Sequence, residues 1–208
     1  MKKIMFNDKY GLTAAVLGGR KTMTRRIITG NYTNFSKVLI YPFDGVWHYK
    51  GYDEYGYSCI LHPYYSVGEE VAVAQRYIDL KDSEAFYACV FKEDPYIPLE
   101  CIKGEKGAYN KMFAKAAWMP NRIRITRIKA ERLQDITYKD CLREGVIQSC
   151  DGFDMYTFDG WTRKKNEKSV QEYTNSAELA FAALIDKISG KGTWEKNPWV
   201  WAYEFELV

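Results

Sequence analysis

Trp199-Val200-Trp201-Ala202-Tyr203-Glu204-Phe205-Glu206-Leu207 places a large apolar side chain at every odd position. Successive side chains of a strand point to opposite faces, so this period of two predicts a half-buried β-strand closing the chain. Asn121–Ala130 carries the same signal in Arg122-Ile123-Arg124-Ile125, with the basic groups on one face. Ile128 breaks that phase, which predicts a bulge or bend nearby. Short strands are also expected over residues 2–6, Glu70–Tyr77 and Ala85–Phe91. Within 38–62, Asp44-Gly45 between apolar runs predicts a hairpin.

Helical signals fall between these strands. Leu12, Ala15 and Val16 have helical spacing within 8–17, and Gly18-Gly19 stops that helix. Thr137-Tyr138-Lys139-Asp140 reads as a capping box, with Asp where Glu is commoner, opening a helix that runs to about Glu144. Ser176 caps a longer helix whose stripe is Phe181, Leu184, Ile185 and Ile188, ending at Gly190. Residues 150–172 are polar, hold Gly152 and Gly160, and read as a long mobile loop or insertion. Hairpin strands with helices between only some of them favour an α+β fold, a small mixed β-barrel flanked by helices.

The chain has 208 residues, enough for one well-buried core. Its 17 Tyr and 6 Trp fit a β-rich interior, and a few exposed rings would suit base stacking. A net charge of +3 excludes a general polycation, so affinity for nucleic acid must come from local clustering. Cys59, Cys89, Cys101, Cys141 and Cys150 form no C-x-x-C pair, and His48 and His62 add no zinc spacing, so neither a metal nor another cofactor is expected. Free thiols suit a reducing compartment, and polar residues directly after the first few positions leave no signal-peptide core. No apolar run reaches membrane-spanning length. A cytoplasmic protein without a membrane partner is expected.

The chemistry concentrates in Gly19-Arg20-Lys21-Thr22-Met23-Thr24-Arg25-Arg26, which packs four cations and two hydroxyls into one basic loop after a helix. Arginine offers a donor fork suited to phosphate, and lysine a mobile point charge. A solvated surface loop is the bland reading. Lys111, Lys115, Arg122, Arg124, Arg127, Lys129 and Arg132 form a second basic group, which either extends a phosphate track or pairs with acids elsewhere. Trp118 and Met119-Pro120 between the two groups would offer a stacking wall.

The segment Gly19–Arg26 resembles the G-x-K-x-x-T-x-R motif of the ASCH family, relatives of the PUA RNA-binding domains. Val67-Gly68-Glu69-Glu70-Val71 is similar to that family's turn into a central strand. Glu131–Ile136 with Arg143-Glu144-Gly145, and Asn197–Phe205, resemble later segments of phage or prophage members. The resemblance spans roughly 1–76 and 120–208 and implies one PUA-like domain over 1–208, elaborated at about 77–119 and 150–172. It implies an RNA- or nucleotide-binding module, with Arg20, Thr22, Arg25, Arg26, Gln75, Arg122 and Arg124 as binding residues.

The alternative it implies is an amidohydrolase acting on N4-acetylcytidine or a related modified nucleoside, with Lys21, Thr24 and Glu144 as the catalytic set. A threonine hydroxyl needs a neighbouring base, which a lysine of lowered pKa can be. Glu144 would pass the proton to the leaving amine, and backbone N–H groups or Arg26 would hold the oxyanion. An anion at a helix C-terminus is disfavoured by the dipole, and a structural ion pair with Lys21 or Arg26 would also account for Glu144. Thr24 would alternatively bond only to the loop backbone. Ala74-Gln75-Arg76-Tyr77 stands where larger phage members carry an arginine-glutamate pair, and glutamine cannot act as a base. A third reading is an interaction module whose basic loop meets an acidic protein. As a loop cation, Lys21 is expected to tolerate replacement by alanine without loss of the fold.

Overall fold

The alternating segments near the two ends of the chain meet in one sheet. A computed structural model describes residues 1–29, 35–43, 46–149, 154–165 and 168–208. The first half contains β1 (Lys3–Ile4), α1 (Leu12–Leu17), β2 (Met23–Ile27), β3 (Lys37–Phe43), β4 (Val46–Tyr52), β5 (Ser58–Leu61) and β6 (Glu70–Val73). Two helices follow, α2 (Glu84–Glu93) and α3 (Leu99–Gly104), and then the long strand β7 (Arg122–Arg132). The last third holds α4 (Tyr138–Arg143), β8 (Ile147–Gln148), β9 (Tyr156–Thr157), β10 (Thr162–Lys165), β11 (Lys168–Gln171), α5 (Ala177–Ser189), α6 (Thr193–Lys196) and β12 (Trp199–Leu207).

The fold is mixed α+β. Its central sheet runs β1-β6-β7-β12-β2, parallel only between β1 and β6. Among the described residues β1 and β2 remain the two edges, so the hydrogen bonding does not close a barrel. β3, β4 and β5 form a separate antiparallel sheet that joins the core by packing, with Tyr49 edge-on to Trp201 at 4.5 Å. The expected Asp44-Gly45 turn lies outside the described residues, but its flanking strands pair from Phe43↔Val46 to Lys37↔Tyr52.

β12 is covered on both faces rather than one. Trp201, Tyr203 and Phe205 join the main core with Ile123, Ile125 and Val73. Val200, at an even position, packs with Leu133, Phe181 and Ile185 in a second cluster beneath α5. The period-two signal marked the strand but not the helix lying over its even face. The phase break near Ile128 corresponds to a bulge: Glu204 pairs with Arg127 and Phe205 with Ile125, leaving Thr126 without a partner in the register.

Four expectations change. Ala85–Phe91 is not a strand but part of α2, because Ser83 accepts from the Phe86 N–H and Phe86 and Val90, four apart, both reach a buried cluster. The strand from Glu70 stops at Val73, and Tyr77–Leu80 is a 3-10 turn. The helix over 8–17 is interrupted at Gly11, whose φ of 62° suits glycine; a Cβ there would lie 2.3 Å from Asp159 Oδ2. Residues 150–172 contain β9 and the β10–β11 hairpin, with Thr162↔Gln171 in register, while 150–153 and 166–167 lie outside the described residues.

The 77–119 elaboration surrounds its own cluster of Tyr77, Phe86, Ile102 and Trp118. Trp118 and Met119 are therefore buried there and offer no stacking wall. No helix among the described residues is long and apolar enough to cross a membrane.

Candidate functional site

Gly18 caps α1, and Gly19, at φ 71°, turns the chain so that only residues 18–22 separate the helix from β2. The expected basic loop is therefore half strand. Its ends are anchored: Lys21 N–H donates to Ala15 O at 2.9 Å and Thr22 N–H to Arg143 O at 3.0 Å. β2 lies at the edge of the central sheet, with α4 and α5 packed over it, and Lys21, Thr24 and Arg25 are all buried.

Lys21 is 2% exposed, and its ammonium donates to Glu144 twice, at 2.7 Å to the backbone carbonyl and 2.6 Å to Oε2. Thr137 caps the start of α4, which brings Glu144 to its C-terminal cap. Gly145 lets the chain turn away immediately: its φ is 109°, and a Cβ there would meet Leu12 Cδ2 at 2.9 Å. Arg25 completes the cluster. It donates to Glu144 Oε1 at 3.1 Å, to Glu131 Oε1 at 2.6 and 2.9 Å, and to Asp140 Oδ2 at 3.3 Å. Lys129 reaches the other Glu131 oxygen at 2.7 Å. The unfavourable position of Glu144 against the helix dipole is thus answered by Lys21 and Arg25, not by Arg26.

Burial holds the Lys21 pKa below the usual lysine value, with Arg26 and Arg25 adding to the effect and Glu144 opposing it. Arg25 is moved the other way: burial works against its charge, but Glu144, Glu131 and Asp140 outweigh it. Cys141, behind the cluster, has its thiol pushed up to about 12, mainly by burial.

Lys21, Thr24, Arg25 and Glu144 all line a cavity of about 690 Å³, a volume suited to a small organic ligand. Phe181, Leu184, Ile185 and Ile188 of α5 form one wall, and Phe6 and Leu12 stand in another. The stripe that made α5 recognisable as a helix therefore also supplies an apolar side to the cavity. Lys21 Nζ and the Arg26 guanidinium lie 5.8 and 5.9 Å from the Phe6 ring centre. Thr24 also lines this space, and among the described residues its Oγ1 makes no hydrogen bond, either to the backbone or to Lys21. Lys111 comes from the 77–119 elaboration to the rim, donating to the Phe6 carbonyl and to Asp8 Oδ1 at 2.7 Å.

The remaining expected site residues lie elsewhere. Arg20 is exposed and bonds Asp159 Oδ2 at 3.2 Å, while Thr22 Oγ1 accepts from Arg143 Nε at 3.1 Å. Gln75 accepts from Asn121 Nδ2 at 2.7 Å outside the cavity lining. Arg122 and Arg124 share a face as expected, but they pair with Glu70, and Arg124 also with Glu206. Arg127 and Lys115 likewise meet Glu204 and Glu105. The second basic group is largely a set of ion pairs.

Sequence reasoning missed Glu131 and Asp140, while Lys111, placed by it in the second basic group, is the member of that group that reaches the cavity. Glu131 is an acid between buried Ala130 and Leu133 in an otherwise basic strand, a pattern that hints at an internal partner. Asp140 was read only as part of a cap. Among the described residues no group of three His, Cys, Asp or Glu side chains is arranged to hold a metal. Comparison with known proteins finds no matching family model, no matching curated protein and no matching solved structure.

Proposed function

We propose that this chain is an ASCH-type, PUA-like hydrolase that removes an acyl group from the exocyclic nitrogen of a nucleobase, N4-acetylcytidine being the substrate to test. The reading takes 1–208 as one cytoplasmic domain and the five-stranded sheet as the core of a PUA-like barrel. One observation carries it. Lys21, Thr24 and Glu144, drawn from segments 123 positions apart, line a single cavity in which the lysine pKa is lowered and the threonine hydroxyl is unengaged.

The chemistry follows from the buried pair. Burial lowers the Lys21 pKa and so favours its neutral amine, and the 2.6 Å contact lets a proton pass between Nζ and Glu144 Oε2 during turnover. The amine then accepts the Thr24 hydroxyl proton as Oγ1 attacks the acyl carbon. As the C–N bond breaks, Glu144 protonates the departing exocyclic nitrogen. Water gives a proton to the Glu144 carboxylate as it attacks the acyl ester, that proton returns through Lys21 to Thr24 Oγ1 as the ester C–O bond breaks, and acetic acid leaves. The net reaction consumes one water and yields cytidine and acetic acid, which ionises to acetate and a proton. Arg25, fixed by Glu131 and Asp140, holds the second Glu144 oxygen so that Oε2 stays on Lys21.

A polymer-binding module on a shallow basic track is the weaker reading, because Arg122 and Arg124 are already neutralised by Glu70 and Glu206. The test is chromatographic: native protein and the near-isosteric Thr24→Val variant, each incubated with N4-acetylcytidine. Cytidine from the native protein alone is expected. Unchanged substrate with folded native protein overturns the hydrolase reading.

A further inference from the structure

Beside the cavity that holds Lys21 lies a second hollow of about 720 Å³, and the two share Met5, Arg26 and Ile27 as a common wall. Its floor is aromatic. Tyr65, Trp201 and Tyr203 are all buried, with Tyr65 packed edge-on to Tyr203 at 5.3 Å. Tyr64 stands on the rim, 65% exposed, edge-on to Tyr65 at 4.9 Å. Its backbone N–H donates to Tyr203 Oη at 3.0 Å, which fixes the rim to the floor. Lys2 lies 5.1 Å from the Tyr64 ring centre and bonds the Tyr64 carbonyl at 2.7 Å. The ring is therefore exposed yet held, a combination suited to stacking, since little freedom is lost when a base lands on it.

Arg26 connects the two spaces. It is exposed, it donates to Met5 O at 2.7 Å, and among the described residues it has no carboxylate partner. That distinguishes it from Arg25, Arg122 and Arg124, whose charges are neutralised at close range. An arginine with unused donors, standing between a cavity for one base and an aromatic hollow, matches a phosphodiester linking two nucleosides. Its exposed position suits that role better than the buried oxyanion expected from the sequence.

We infer that the second hollow is a subsite for the nucleotide next to the reacting base: the substrate is an oligonucleotide, with Arg26 on the linking phosphate and Tyr64 stacked on the neighbouring base. This rests on the hydrolase reading of the first cavity. Because Arg122, Arg124, Arg127 and Lys129 of β7 are paired with acids, and Lys3 beside the hollow and Arg132 are held by backbone carbonyls, recognition extends over one phosphate and not along a track. The salt dependence of binding should therefore be shallow, with a log–log slope of about −0.7.

The experiment compares kcat/KM for free N4-acetylcytidine and for a trinucleotide carrying it at the centre, in native protein and in Tyr64→Ala. Native protein is expected to prefer the trinucleotide by about tenfold, the size of one stacking contact. Tyr64→Ala should lose the stacking share of that preference, keeping only what Arg26 contributes, while turning over the free nucleoside at the native rate. Equal turnover of both substrates by native protein, or an undiminished preference in Tyr64→Ala, overturns the subsite and leaves the hydrolase reading standing. If neither substrate is cleaved, the hydrolase reading fails, and the hollow is then judged by titrating unmodified tricytidylate against tryptophan fluorescence. Binding weakened about tenfold in Tyr64→Ala supports the subsite; the same affinity in both proteins, or no binding, overturns it.

Discussion

Replacing the two members of the buried Lys21–Glu144 pair, one at a time, separates a load shared by several charges from one carried by a single contact. Lys21→Met keeps the length of the side chain and removes its charge; Glu144 then still holds Arg25 at 3.1 Å. Glu144→Gln leaves Arg25 with Glu131 at 2.6 Å and Asp140 at 3.3 Å, but leaves the Lys21 ammonium with no carboxylate among the described residues. Breaking a buried pair so that one charge is uncompensated costs about 3–5 kcal/mol. Glu144→Gln should fall in that range. Lys21→Met should cost about 1–3 kcal/mol, the loss of charged hydrogen bonds whose acceptor retains a second partner. Lys21→Ala adds the cavity left by the four-carbon stem, about 2 kcal/mol more. The assay is urea unfolding near neutral pH, followed by tryptophan fluorescence and far-ultraviolet circular dichroism. Two results would refute the reasoning: Lys21→Ala within about 0.5 kcal/mol of the native protein, as a surface cation would give, or Lys21→Met costing more than Glu144→Gln.

Activity on N4-acetylcytidine should rise with pH as Lys21 gives up its proton, and burial places that limb below the ordinary lysine value of 10.5; a pH–kcat/KM profile with its rising limb above that value contradicts the assignment of the base. Tyr65 is raised to about 12 from 10.0, mainly by burial, so its neutral form stabilises the fold below pH 10 and that contribution is lost as pH climbs from 10 through 12. Alkaline unfolding monitored by tyrosinate absorbance should therefore show Tyr65→Phe losing less stability over that window than the native protein. Cys141, with its thiol pushed up to about 12, should resist a thiol reagent in the folded state, while exposed Cys101 reacts; rapid labelling of Cys141 in native protein, read by peptide mass, contradicts its burial. Ser176 accepts from the N–H groups of Glu178 and Leu179, and Ser176→Ala should cost about 1 kcal/mol in the same urea assay, with no change meaning that the cap is not formed in solution.

The elements best read in advance were those whose signal is local. Ser176 and Thr137 announced α5 and α4, Gly18-Gly19 ended α1, and the alternation through Trp199–Leu207 marked β12, because caps and periodicity depend on residues within a turn or two. Ala85–Phe91 misleads, since a short apolar run suits either state, and the Ser83 cap together with the buried cluster around Tyr77 and Trp118 selects the helix. Gly19–Arg26 stands out in the sequence as a concentration of cations and hydroxyls, yet its environment does not. Its cations suggested a solvated loop, whereas Lys21 and Arg25 are buried against carboxylates from distant segments.

The sequence by itself determined where α4, α5 and β12 lie and which residue types could do acid–base work, and its resemblance singled out Lys21, Thr24 and Glu144, which line one cavity. Only the tertiary structure decided which charges are paired and which stand free. Arg25 meets Glu131 across 106 positions and Lys21 meets Glu144 across 123, while Arg26, one residue further along β2, meets no acid among the described residues. Neighbours in a strand face opposite sides of a sheet, so adjacent arginines of identical chemistry enter different surroundings. What surrounds each is set by chain that folds back from far away, and no short-range pattern records it.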